Sequence, residues 1–149
     1  RDSLQSCRAP FVSADEYPED YKGALGNSSA KEKAQAFEYV YRNRWKSVRD
    51  ALQEFDAHTL EAEALWGSNI RSKTNEFLQC VRELNVAISS VISNEASGGE
   101  DFKSDKDFAM KTKAKAYAFG DENDELSQKI TNAITGIEKE VRPHLKRNS

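Results

Sequence analysis

Histidine is scarce in this chain, with only His58 and His144 present. A helical di-iron site draws a Glu-x-x-His pair from each of two helices, and no such pair exists here. Cysteine is as sparse: Cys7 and Cys80 lie far apart and form no CxxC, which excludes a disulfide framework. Cys80 falls beside Val81 in a helical apolar pattern and is expected as a small buried thiol. Cys7 precedes the regular pattern and is expected on a mobile arm. Only 3 prolines and 7 glycines punctuate the sequence, too few for a loop-rich or many-turned β fold. The longest strongly apolar stretch, Val86 to Ile92, is broken by Ser89 and Ser90 and falls far short of the ~20 residues that cross a bilayer. Excess charge is missing too: the formal net charge of -3 gives no general pull toward nucleic acid or anionic lipid.

What the chain does contain is helical periodicity. Its 149 residues suit one domain, and charged residues at 32% with both signs mixed suit long helices with solvated faces. From residue 1 to residue 29 no period is sustained, and Pro10, Pro18, Gly23 and Gly26 interrupt it, so an extended or disordered lead-in is expected, pinned by Phe11, Tyr17 and Tyr21. The helical bundle domain is expected over residues 30–149. Ser29 with Glu32 reads as a capping box. Ala34, Phe37, Tyr41, Trp45, Val48, Leu52 and Phe55 then recur at steps of three and four, and the stripe continues to Trp66. Gly67 and Ser68 supply a stop and a new N-cap, hence a tight reversal.

A second helix carries Ile70, Thr74, Phe77, Val81, Leu84, Ile88 and Val91 and should end before Ser97. A polar loop follows. Ser104 with Asp107 is expected to cap a third helix reaching Phe119, closed by Gly120. Asp121 or Asn123 is expected to cap a fourth helix, with Leu126, Ile130, Ala133, Ile134, Ile137 and Val141 on one stripe and Pro143 ending or bending it. The fold class is therefore all-α, an antiparallel bundle of about four helices, the first two long. The hydrophobic steps shift near Thr59, which disfavours a simple long coiled coil.

No motif carries catalytic chemistry. There is no Gly-x-Ser-x-Gly elbow and no phosphate-binding P-loop, and neither cysteine has a base in a recognisable setting. Glu54, His58 and Glu61 share a helix face, but salt pairing on a solvated surface explains them. Asp121, Asn123 and Glu125 alternate as in a calcium loop, yet the glycine and the distal glutamate that such a loop requires are missing. Lys103, Lys106, Lys111, Lys113 and Lys115 form a basic cluster diluted by Asp101, Asp105 and Asp107. No catalytic, cofactor or metal residue is therefore assigned.

Two sets of residues remain. Arg42, Arg44, Lys46 and Arg49 interleave with Tyr41 and Trp45 in a pattern that can grip phosphates or a partner's acidic groups. Phe55 and Trp66 lie where the first two helices outreach the later ones, and exposed apolar surface there invites a partner. The leading expectation is a non-enzymatic interaction domain that binds a protein or a second copy of itself. The alternatives are a sensory bundle holding a small molecule near Tyr41, Trp45 and Phe77, and nucleic-acid binding through the four basic residues, which the net charge disfavours. Direct membrane insertion is not expected. The start at Arg1 suggests a fragment or processed product of a longer protein; the expected location is the cytoplasm, with a membrane tether ahead of residue 1 as the alternative.

Overall fold

Ser29 begins the longest element, its Oγ accepting from the Glu32 backbone N–H at 3.2 Å. In the computed structural model, which describes residues 1–21, 29–120 and 123–147, the regular structure of the described residues is helical throughout, with no strand. The helices are α1 (Asp2–Cys7), α2 (Ala30–Trp66), α3 (Asn69–Ala96), α4 (Glu100–Ser104), α5 (Lys106–Ala116) and α6 (Glu125–Arg147), with a short 3-10 turn at Ala14–Glu16.

The reversal between α2 and α3 lies where the glycine places it. Gly67 has φ 102° and ψ 174°, a conformation open to glycine and costly for any residue with a Cβ. Ser68 is the N-cap residue of α3 but makes no side-chain capping bond. The two helices then pair as a hairpin: Phe55 meets Phe77 with ring centroids 5.3 Å apart. Arg71 Nε donates to Glu63 Oε2 at 2.8 Å across the turn.

α3 is the hub, with α2, α5 and α6 all packed on it. α5 covers its C-terminal half, where Ala87 and Val91 meet Ala109 and Ala116, small residues that let the backbones approach, with Phe102 of α4 in the same cluster. α6 covers the other half, its Lys129 beside Glu83 and its Gly136 against Lys73. The residue numbers on α5 and α6 rise as those on α3 fall, so both helices run antiparallel to α3.

Other expectations need correction. The lead-in is not extended throughout: residues 2–7 form α1, and Leu4 and Cys7 are buried in the same cluster as Tyr41, Val48, Phe77 and Leu84. Cys7 is therefore a core thiol, not part of a mobile arm. Phe11, one of the expected pins, is exposed, whereas Tyr17 and Tyr21 pack on each other at 4.8 Å. The loop after α3 contains α4, held by Asn94, whose Oδ1 accepts from the Phe102 N–H at 2.9 Å.

α5 is capped by Asp105 rather than Ser104, the Asp105 carboxylate accepting from the Phe108 N–H at 3.0 Å, and it ends at Ala116. Asp124 serves α6 in the same way, accepting from the Ser127 N–H at 3.1 Å. A carboxylate in this position satisfies an orphan N–H and complements the helix dipole. The cap is thus Asp124 rather than the expected Asp121 or Asn123; Asp121 lies outside the described residues, as do Gly23 and Gly26. Pro143 does not end the last helix; it lies inside α6, which continues to Arg147.

Candidate protein interface

The site is best built from the seat of α1. Leu4 and Cys7 stand one turn apart, so both point inward, and they enter the space between α2 and α6. Arg8 then fixes the position. Its guanidinium is only 2% exposed and donates to the carbonyls of Ala114, Lys115 and Tyr117, to Ser127 Oγ and to the Asp124 carboxylate, all between 2.7 and 3.1 Å. One side chain thus satisfies the unpaired carbonyls at the end of α5 and the capping carboxylate of α6. Burial would raise the Asp124 pKa, but hydrogen bonds from Arg8 and Ser127 outweigh it and leave the carboxyl below its usual range.

Arg44 holds the next part of the arm. It pairs with Glu16 through Nε to Oε2 at 2.7 Å and Nη2 to Oε1 at 2.9 Å, and it donates to the carbonyls of Ala9 and Phe11. Its guanidinium also lies 5.4 Å from the centroid of the Tyr41 ring. The bond from Arg44 lowers the Glu16 pKa.

The four basic residues of the sequence pattern are therefore divided. Arg44 is engaged with the arm and only 8% exposed at its side chain, Arg42 pairs with Glu38 one turn away, and Lys46 and Arg49 are exposed. Tyr41 is buried rather than lining an open cavity. Its hydroxyl makes no hydrogen bond of ordinary geometry, yet it lies close enough to the Tyr117 hydroxyl for the two to influence each other's ionisation. Burial raises both phenols, and it pushes the Cys7 thiol up to about 11.

Phe55 and Trp66 are brought to one feature. α2 and α6 both pack on α3 but scarcely on each other. Beyond Leu4 a shallow groove runs between them over Phe77, Thr74 and Ile70 of α3, which are themselves buried at 8%, 1% and 3% exposed. It comprises two cavities of about 310 and 410 Å³, both lined by Phe55 and Ile137. Trp66 closes the far end, stacked on His144 with ring centroids 5.0 Å apart and 8° between the planes. Leu65 stands on the edge, 67% exposed.

The groove offers little polarity inside. The Thr59 hydroxyl donates to the Phe55 carbonyl at 2.8 Å and the Thr74 hydroxyl to the Arg71 carbonyl at 2.9 Å, so both bonds are spent on their own helices. Glu61 and Glu138 contribute negative charge to the walls.

Sequence reasoning missed Arg8, Asp124 and the α6 wall. The Leu4–Cys7 spacing was the available signal for α1, but it covers less than two turns. Glu54 and His58 pair loosely at 3.9 Å on an exposed face. Among the described residues no three His, Cys, Asp or Glu side chains are grouped so as to hold a metal ion, and no helix is long and apolar enough to cross a membrane. No protein-family model, curated protein or solved structure matches this chain.

Proposed function

We propose that this protein is a non-enzymatic helical interaction domain whose binding face is the open groove between α2 and α6, with Phe55 and Trp66 as apolar anchors. The observation that supports it is that groove: an apolar channel about 20 Å long between the levels of Leu52 and Leu65, at 1.5 Å per residue, left uncovered in a chain rich in charge. A small polar ligand would need convergent donors or acceptors to orient it, and the Thr59 and Thr74 hydroxyl hydrogens are already committed to their own helices. The engagement of Arg44 with the arm likewise weighs against a phosphate-gripping face on α2.

The test uses a photo-crosslinking benzoylphenylalanine at Leu65, on the groove edge, and the same group at Lys46 as a control. In the protein's own source cells, discrete adducts from position 65 and none from position 46 are expected. Light scattering over a range of concentrations tells whether the adduct is a second copy. A protein that is monomeric at every concentration and forms no adduct from position 65 would sink the proposal.

A further inference from the structure

We infer that a second docking surface lies between α3 and α5 and that it receives an acidic segment of a partner protein, one that carries a large apolar side chain with two carboxylates about 6–10 Å from it. This surface is independent of the α2–α6 groove. At about 100° per residue, Gln79, Val86 and Ser90 stand roughly 160–200° around α3 from Ile70, so they face away from the channel that Phe55 and Trp66 line. The antiparallel α3 and α5 leave between them a cavity of about 370 Å³, walled by both helices.

The residues that would meet the partner are exposed. Val86 on α3 is 66% exposed and Phe108 on α5 41%, and Phe108 is steadied by an edge-on contact with Phe102, ring centroids 5.9 Å apart. Arg82, Lys111 and Lys115 line the same cavity and are exposed as well. Arg82 lies one turn from Val86, and Lys111 and Lys115 lie one and two turns from Phe108. Antiparallel packing puts these basic stretches at the same end, so the groove has an apolar end and a cationic end about 6–10 Å apart.

Charge selects the occupant. Among the described residues that line these walls Glu83 is the one carboxylate, and Lys129 of α6 already lies 3.4 Å from it. Lys111 pairs one turn back with Asp107 at 3.0 Å, whereas the Arg82 and Lys115 side chains make no ion pair among the described residues. The groove is thus locally positive in a chain whose formal net charge is -3. Outside it the charges of α4 and α5 balance, with Glu100, Asp101, Asp105 and Asp107 against Lys103, Lys106 and Lys113. A bilayer or a nucleic-acid backbone needs an extended cationic face, which that balance denies; a slender acidic segment needs only the groove. Carboxylates facing Arg82 and Lys115 govern choice of partner and rate of encounter, while an apolar side chain covers Val86 and Phe108.

The experiment selects a phage library of random dodecapeptides on the full chain and measures the enriched peptides by fluorescence anisotropy at low salt. Acidic residues close to a large apolar one are expected among them. R82E/K115E should weaken these peptides at least about tenfold, a difference of ~1.4 kcal/mol, whereas R82K/K115R should retain them. Val86→Ser should weaken them at least about threefold through lost apolar contact. K46E/R49E, which reverses two exposed charges on α2, should leave binding unchanged. All these side chains are exposed, and an unaltered circular dichroism spectrum separates lost binding from lost fold.

A selection that yields no peptide sensitive to R82E/K115E, or peptides weakened as much by K46E/R49E, would overturn the inference. Two further outcomes would do the same: binding to phosphatidylserine vesicles that R82E/K115E abolishes, which makes the occupant a bilayer, and a concentration-dependent dimer dissolved by that pair, which makes it a second copy. Peptides that respond only to Leu65→Glu belong to the α2–α6 groove; they support the interaction reading above and leave the α3–α5 surface refuted.

Discussion

Arg8 and Asp124 form the most consequential pair of residues outside the apolar core. A buried ion pair can cost as much in desolvation as it returns, but removing one partner leaves the other charged and unpaired. Arg8→Met should therefore destabilise the protein by about 3–5 kcal/mol, because it strands Asp124 and three carbonyls at once. Urea denaturation followed by circular dichroism measures this; a loss under ~1 kcal/mol would refute the account.

The same neighbourhood sets a response to pH. Cys7, Tyr41 and Tyr117 have pKa values raised by burial, so their neutral forms are favoured in the folded state. The stability they contribute is fully present below their unfolded values and declines as pH rises, for Cys7 between 9.0 and about 11. Asp124 and Glu16 act in the opposite direction: their values are lowered, and what they contribute is lost as pH falls below about 4. Denaturation midpoints should be highest near neutrality and fall on both sides. Cys7→Ala should flatten part of the alkaline decline, and an unchanged alkaline slope would remove Cys7 from the explanation.

At the level of elements, two glycines give opposite expectations. Gly67→Ala meets no atom within 4 Å of the new Cβ, yet the backbone there has φ 102°. It should cost about 1–3 kcal/mol through strain alone. Gly136 lies within α6, and an added Cβ would meet only Lys73 Cδ at 3.4 Å, the far part of a flexible side chain. Gly136→Ala should stabilise by about 0.5–1 kcal/mol through helix propensity. Thermal melts of the two variants decide both signs.

The elements also show why parts of the fold were legible. α2 and α3 declare themselves because 37 and 28 residues repeat the helical period many times, and Gly67 marks the reversal between them. α1 and α4 have 6 and 5 residues, less than two turns each, so no period can emerge from them; burial of Leu4, Cys7 and Phe102 against distant helices holds them in place. Phe55 and Trp66 could be singled out because they lie on a stripe, whereas the opposite wall of the groove depends on where α6 packs. The engagement of Arg44 was hidden for the same reason: its carboxylate partner is 28 residues upstream, in a segment without pattern.

In the whole molecule, stability should be graded around α3. It is the element on which α2, α5 and α6 all pack, and its amides should exchange with solvent most slowly. The amides of α4 and of the Ala14–Glu16 turn, which rest on few buried side chains, should exchange fastest among the helical segments. Hydrogen exchange followed by mass spectrometry gives that ranking, and protection in α4 equal to that in α3 would contradict it.

The latch between Arg8 and the start of α6 also has a consequence in time. Along the chain Arg8 precedes Asp124 by 116 residues. At a synthesis rate of about 5–20 residues per second, Arg8 waits roughly 6–25 s before Asp124 exists to receive it. During that interval the cluster that buries Cys7 also lacks its α6 members, Leu126, Ile130 and Ala133. A segment made before all the helices it joins is thus among the last to be fully seated, and its cysteine is less protected in the nascent chain than in the finished fold.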